Sequence, residues 1–329
     1  MIKYSFIIPV KAINDYIRES IPKILEIPRE DYEIIIYPDE LDGQNYAWAK
    51  TRIIATGTGG PAMKRSLAIR DAQGELLVFV DDDAYPEKNI LEFLDEDFQD
   101  AEIAAVGGPA ITPKSDSFLQ KVSGAIYLSI LGGNFPERYC PIGKARNVSD
   151  WPTVNLTVRK AAFTEVGGFS SNYWPGEDTK LCLDLVNNKE NNKILYDPRI
   201  IVWHHRREGL WRHLKQVAGY GLHRGFFAKK FPETSCKLRY FIPSGFFAFA
   251  LVGWVPILFF SGWYLELYLV GWLVYCLALL KVFWDVIRRQ RELDVALYSL
   301  VYVFFTHITY GLRFIQGFVF TRELKSKLR

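Results

Sequence analysis

The chain has 329 residues, 40 Lys and Arg against 37 Asp and Glu, and a net charge of +3. That length suits two domains or one domain with an appendage, and so small a net charge names no partner. Four cysteines (Cys140, Cys182, Cys236, Cys276) stand without pair spacing, which argues against a disulfide framework or a zinc site and for a reducing compartment.

In chain order, residues 4–9 (YSFIIP) predict a first buried strand, an apolar start too short for a signal peptide. Residues 14–27 predict a helix with Ile17, Ile21, Ile24 and Leu25 at helical spacing, and residues 33–37 a second strand ending at Pro38-Asp39. A short strand over 52–55 leads to Gly57, Gly59, Gly60 and Pro61, then to a helix over 62–72. A glycine loop feeding a helix can seat phosphate on free backbone N–H groups. Lys64 and Arg65 oppose the helix dipole there, which suggests a bound anion. Gly-Gly-Pro is equally an ordinary helix start, and the loop is no dinucleotide fingerprint.

Residues 76–80 run apolar and unbroken into Asp81, Asp82 and Asp83. Bounded by Gly74 and Pro86, the run predicts a strand buried on both faces, its end at the carboxyl edge of a sheet where open α/β folds keep ligands. Three adjacent carboxylates repel one another unless a cation sits among them. Alternation turns Asp81 and Asp83 to one side and Asp82 to the other. The stretch also reads as a solvated acidic turn starting a helix at Pro86. A helix over 86–97 and a strand over 103–107 continue a strand–helix alternation that indicates a doubly wound, mostly parallel sheet.

Beyond Pro109, residues 115–131 predict an amphipathic helix capped by Ser115, followed by a long loop over 131–151. Residues 153–158 alternate like a strand at a sheet edge. Pro175-Gly176 forces a turn into a helix whose first turn carries Glu177 and Asp178. The two acids either complement the helix dipole or hold a general base at a helix tip. Strands over 194–196 and 200–203 follow, the second running into His204, His205, Arg206 and Arg207. A His there either completes an oxygen-rich metal site or is simply solvated.

Charge and hydropathy then change together. From His204 to Lys230 the cations are Arg206, Arg207, Arg212, Lys215, Arg224, Lys229 and Lys230, against Glu208 alone. Residues 209–231 mix these with aromatics, which suits an interfacial helix pair at a lipid surface better than a nucleic-acid patch. Residues 241–265 carry no charge, 267–284 only Lys281, and 295–312 form a third apolar segment, so membrane insertion is expected. Trp254, Trp263, Tyr264 and Trp284 crowd the span ends as interfacial belts do. Arg288, Arg289 and Arg291 place the connection between the second and third segments on the cytoplasmic side. The third segment either crosses or re-enters as a hairpin broken near residues 307–311. The division expected is a catalytic domain over 1–208, basic interfacial helices over 209–239 and a membrane region over 240–329.

Several stretches coincide in order: SFIIPV, the Asp39 region, GGPAMKRSLAIRDAQGE, FVDDD, AVGGP, NLTVRK with EVGGF, GEDTKL and WHHRREGLWRHLKQVAGYGLHRG. Over residues 2–230 the chain resembles the family two glycosyltransferases of GT-A fold, and most closely their membrane-associated members that build polysaccharides or lipid-linked glycans. The resemblance implies an α/β, Rossmann-like domain. It implies Pro9, Val10 and Asp39 at the nucleoside of a nucleotide-diphosphate sugar (a UDP-sugar), and Lys64, Arg65, Arg206 and Arg207 near its diphosphate. Asp81 and Asp83 match the DXD pair, with Asp82 beside them, and His204 or His205 is a further metal or phosphate contact. Asp178 matches the catalytic base of inverting members, while Gly108, Asn155, Trp174 and Glu177 fall on the sugar or acceptor side. The sequence departs from the family pattern at Lys11-Ala12, Pro38 and Arg65-Ser66.

The chemistry is coherent on its own. Diphosphate leaves poorly until its charge is neutralised, and a hard cation on carboxylates, manganese or magnesium, does that. The reading that follows is an inverting glycosyltransferase at the cytoplasmic face of a prokaryotic plasma membrane, acting on a glycan carried by a polyprenyl diphosphate. An alternative takes polyprenyl phosphate itself as acceptor, which needs no general base. A non-catalytic membrane scaffold retaining a nucleotide fold is the reading of another class.

Overall fold

The computed structural model describes residues 1–170, 173, 175–189, 192–259 and 262–324. Its first half runs β1 (Tyr4–Pro9), α1 (Asp15–Leu25), β2 (Tyr32–Tyr37), β3 (Thr51–Ile53), α2 (Pro61–Ser66), α3 (Ala68–Asp71), β4 (Leu76–Phe79), β5 (Ala84–Pro86), α4 (Ile90–Asp97), β6 (Ile103–Gly107) and β7 (Ala110–Ile111). Then come α5 (Phe118–Ala125), α6 (Ile130–Gly133), β8 (Arg146–Val148), β9 (Leu156–Arg159), α7 (Lys160–Glu165), α8 (Glu177–Asn188), β10 (Lys193–Tyr196) and β11 (Val202–His204). The C-terminal part is helical: α9 (Leu210–Lys230), α10 (Pro232–Ser235), α11 (Leu238–Val252), α12 (Trp263–Gln290) and α13 (Leu293–Ile315).

Two compact units result among the described residues. One joins Met1–Pro113 to Cys140–His205; the other joins Lys114–Tyr139 to Arg206–Leu324. Residues 114–139, which the sequence division put in the catalytic domain, therefore group with the C-terminal helices.

In the first unit the main sheet has the order β3-β2-β1-β4-β9-β6-β10-β8. The strands β1, β2 and β4 are apolar at nearly every position because both faces are covered. Phe6, Ile8, Ile34 and Val78 pack towards α1 and α4, and Ile7, Ile35, Leu77 and Phe79 towards α2, α7 and α8. The sheet is mixed rather than simply doubly wound: β9 runs antiparallel to both β4 and β6. Residues 153–158 are thus no edge strand. The strand begins at Leu156, after a 3-10 turn over Thr153–Asn155, and is central, with Thr157 1% exposed. A smaller sheet, β5-β11-β7, takes Pro86 as a strand residue opposite Val202, so the next helix starts at Ile90 and not at Pro86. The helix expected over 62–72 tightens at Leu67, where N–H groups reach three residues back, and is split into α2 and α3.

Close backbone approach explains the AVGGP motif. A Cβ on Gly107 would lie 2.1 Å from Trp151 Cδ1, and one on Gly108 1.8 Å from the Ile200 carbonyl oxygen. The indole N–H of Trp151 donates to the Gly108 carbonyl at 2.9 Å.

In the second unit, Ser117 and not Ser115 caps the amphipathic helix. The Ser117 hydroxyl accepts from the Gln120 N–H while the Gln120 side chain accepts from the Ser117 N–H, the reciprocal box that Ser115 is too early to make. Residues 209–231 form one helix rather than a pair. The glycines of α9 do not break it because they seat α13: Cβ atoms on Gly221 and Gly225 would meet the Tyr310 and Phe314 carbonyl oxygens at 2.7 and 2.1 Å. His213 on α9 is buried between the Ser123 and Thr306 hydroxyls, 2.9 Å from each, and burial lowers its pKa to about 4. The stretches Leu238–Leu258, Trp263–Gln290 and Leu293–Phe320 are long and apolar enough to cross a membrane. The third passes through residues 307–311 as unbroken helix, so the hairpin alternative does not form.

One buried cation fixes where the first two strands end. Lys64 is 2% exposed, and its ammonium donates to the Val10 carbonyl at 2.6 Å, the Tyr37 carbonyl at 3.2 Å and the Asp39 carboxylate. All three of its donors are occupied within the fold. Lys64→Met leaves Asp39 and two carbonyls without this partner. It should cost roughly 3 kcal/mol, the low end for a broken buried pair, because Asp39 keeps some water. Urea unfolding of the solubilised chain followed by tryptophan fluorescence checks this; a wild-type midpoint and slope would refute it.

Candidate functional site

The sheet edge collects the acids because β4 ends there. After Phe79 and Val80 the chain turns, with the Ala84 N–H donating to the Asp81 carbonyl at 3.2 Å. The grouping expected of an extended run comes instead from this turn, since β4 ends at Phe79 and Asp82 and Asp83 lie within the turn. Asp81 and Asp83 face one side, and Asp82 accepts from the Asn14 side chain at 2.8 Å, the residue that also caps α1. The pairing of β5 with β11 sets His204 opposite Ala84, one residue from Asp83. One ligand atom each from Asp81, Asp83 and His204 lie within 4.8 Å of one another, and His204 Nε2 is 3.1 Å from Asp83 Oδ1.

His205, next after the last residue of β11, goes elsewhere because successive side chains of an extended strand point to opposite sides. Its N–H donates to the Asp83 carbonyl at 3.0 Å, while its ring packs on Tyr16 at 4.9 Å and its Nε2 lies 3.3 Å from Glu19. Tyr16 and Glu19 were invisible as site neighbours in the sequence. Their only signal is their place on the first turns of α1, the helix that Asn14 and Asp82 tether.

Arg65 ties the start of α8 to this edge. It is 4% exposed, with one Nη on Asp81 Oδ1 and the other 3.2 Å from Glu177 Oε1. Its Nε is buried with no hydrogen-bond partner among the described residues. Burial pushes the Glu177 carboxyl up to about 7, the charge of Asp178 adds to the rise, and Arg65 opposes it. Asp178 is half-buried, and its Oδ1 accepts from the Thr179 N–H at 2.7 Å. The helix start that bears Asp178 is thus tied to the strand edge through Glu177 and Arg65.

Other expected residues are placed less openly. Pro9 and Val10 are buried, and the Val10 carbonyl accepts from Lys64. Asp39 stays partly exposed, beside a cavity of about 320 Å³ lined by Ile13, Pro38, Leu41, Tyr46 and Ile53. Its rim carries a stacked pair, Tyr46 on Trp48 at 4.4 Å. Asn155 is 2% exposed and spends its amide on the Pro109 and Ile200 carbonyls, at 3.1 and 2.7 Å. Gly108 serves the Trp151 and Ile200 contacts described above. Arg206 belongs to the helical unit, its guanidinium 4.9 Å from the Tyr139 ring and its carbonyl accepting from Gln120 at 3.1 Å. Arg207 is half-buried in the same unit, and Trp174 lies outside the described residues.

Comparison with known proteins is consistent with this geometry. Residues 5–165 match the family model described as Glycosyl transferase family 2. The chain is 23% identical over 332 residues, 96% of its length and 97% of the relative's, to a dolichyl N-acetyl-alpha-D-glucosaminyl phosphate 3-beta-D-2,3-diacetamido-2,3-dideoxy-beta-D-glucuronosyltransferase of Methanococcus voltae. It is 26% identical over 198 residues to a pre-mycofactocin glycosyltransferase of Mycobacterium tuberculosis, covering 60% of this chain and 39% of that protein. Among solved structures, a mannosyltransferase from Pyrobaculum calidifontis in complex with GDP-Man and Mn2+ superposes with a TM-score of 0.65 at 16% identity, over 98% of this chain and 88% of that one, a likeness of fold. Residues 5–165 of the chain are thus a glycosyl transferase family 2 domain, and the protein is a glycosyltransferase acting on nucleotide sugars.

Proposed function

We propose that the chain transfers a sugar, with inversion, from a nucleotide-diphosphate sugar to a hydroxyl of a lipid-linked glycan at the cytoplasmic face of a membrane. The observation that carries this is the Asp81, Asp83 and His204 cluster, joined through Arg65 to the helix start that bears Asp178. Two carboxylates and one imidazole suit manganese, and magnesium less well, so the donor set fits the cation such a reaction uses. When bound, that cation would neutralise charge developing on the diphosphate. Asp39 would meet the nucleoside, with a UDP-sugar the first donor to test. Arg65 holds Asp81 and Glu177 in place, and Asp178 would take the proton from the acceptor hydroxyl. The full-length likeness to a transferase whose name specifies a dolichyl-linked sugar phosphate supports a lipid-linked hydroxyl over a bare phosphate as acceptor. Basic Arg288 and Arg289, at the end of α12, support the cytoplasmic side for that connection.

Two measurements test the roles. Asp83→Asn should weaken Mn2+ binding, read by electron paramagnetic resonance titration, at least about tenfold, which corresponds to ~1.4 kcal/mol. Unchanged Mn2+ affinity would remove Asp83 from the metal site. Asp178→Asn should lower turnover by about 100- to 10,000-fold, the usual value of a general base, with donor affinity retained. Turnover near wild type in that variant would reject Asp178 as base and shift the reading to a phosphate acceptor.

A further inference from the structure

The helical unit holds a second set of charged and aromatic side chains. The Arg138 guanidinium lies 4.5 Å from the Phe135 ring centroid, and that of Arg239 lies 5.2 Å from the same ring. Arg224 lies 5.2 Å over Tyr240, whose ring is 6.0 Å from Phe135. Phe135, Tyr240, Tyr310 and Phe314 belong to one apolar cluster. Within it the Tyr310 hydroxyl is buried and has no hydrogen-bond partner among the described residues. A buried hydroxyl without a partner is destabilising, and a bound oxygen would satisfy it.

We propose that Arg138, Arg224 and Arg239, with the Tyr310 hydroxyl, form a binding site for the phosphate of a lipid-linked acceptor. This rests on the acceptor reading above and deepens it. Guanidinium planes seated on aromatic rings keep their N–H edges in fixed directions, the geometry that suits phosphate oxygens. The Arg224 side chain is further fixed by donation to the Ser235 hydroxyl at 3.3 Å. Depth agrees with the assignment. Arg239 and Tyr240 stand in the first turn of α11, where the apolar stretch Leu238–Leu258 begins, so they sit at headgroup level when that stretch is in the bilayer. A cation in a first helical turn opposes the dipole, and an anion bound there reverses the sign of that cost. A carrier phosphate and a bulk phospholipid both present phosphate at this depth. The buried hydroxyl favours the carrier, because a fluid headgroup layer has no need of an interior donor.

The test uses the full chain in phosphatidylcholine nanodiscs, with a polyprenyl monophosphate as probe. Retention of that lipid should fall at least about tenfold in the Arg138→Gln/Arg239→Gln double variant and by a smaller factor in Tyr310→Phe. Phosphatidylglycerol at equal phosphate content should not compete. Unchanged retention in both variants overturns the site. Equal competition by phosphatidylglycerol overturns the carrier assignment and makes this an anionic-lipid contact. A wild-type chain that binds its nucleotide-sugar yet retains no polyprenyl phosphate overturns the acceptor reading instead. Donor affinity, measured alongside, shows that each variant is folded; should the double variant lose it, Tyr310→Phe decides.

Discussion

Two adjacent cations on α2 govern how much negative charge the sheet edge can hold. Lys64 and Arg65 are consecutive, so their side chains leave the helix about 100° apart. One reaches the end of β2 at Asp39, and the other spans from the end of β4 to the start of α8. Ionised carboxylates withdrawn from water need such partners, since desolvation alone costs several kcal/mol per ion. Arg65 serves Asp81 and Glu177 together, and Asp83 has His204 against it. Each acid of the edge is thus held by a side chain from another element, so the arrangement of charge follows from the fold rather than from any one residue.

Much of this was legible in the sequence where the physics is local. Continuous apolar runs gave β1, β2, β4 and β6; Asp81 and Asp83 do share a side, but through the turn that follows β4 rather than through the period of two of extended backbone. The choice between His204 and His205 was not local. It depends on the register of β11 against β5, set by residues more than 100 positions apart in the chain. The same limit hid the central place of β9, whose alternation does not reveal how many neighbours it pairs with. Lys64 shows the limit most plainly. A lysine in the first turn of a helix reads as an anion site, yet its ammonium is consumed by Val10, Tyr37 and Asp39, acceptors contributed by the ends of two other strands.

The helical unit shows the opposite error. Residues 209–231 read as a helix pair from their basic and aromatic composition, yet they form one helix although an isolated glycine weakens a helix by about 1 kcal/mol relative to alanine. Here Gly221 and Gly225 let α13 approach backbone to backbone, and the contact supplies what propensity withholds. The consequence reaches beyond α9. With α13 held this close, Thr306 meets His213 and Tyr310 meets the cluster around Tyr240, so the polar and aromatic contacts of the unit depend on two missing side chains.

The match to the family model ends at residue 165, and the candidate site does not. Asp39, Lys64, Arg65, Asp81 and Asp83 lie inside the matched residues; Glu177, Asp178 and His204 lie beyond them. The half within carries the strand edge and its two cations, Lys64 held by Val10, Tyr37 and Asp39 and Arg65 on Asp81. The half beyond carries the proposed base and the imidazole that closes the cluster. Its position is imposed by β11 pairing with β5 and by α8 docking through Arg65, both fixed by the first half. The strand edge and the docking of both later elements thus lie with the first half, to which the second returns one histidine at a strand end and one acid at a helix start.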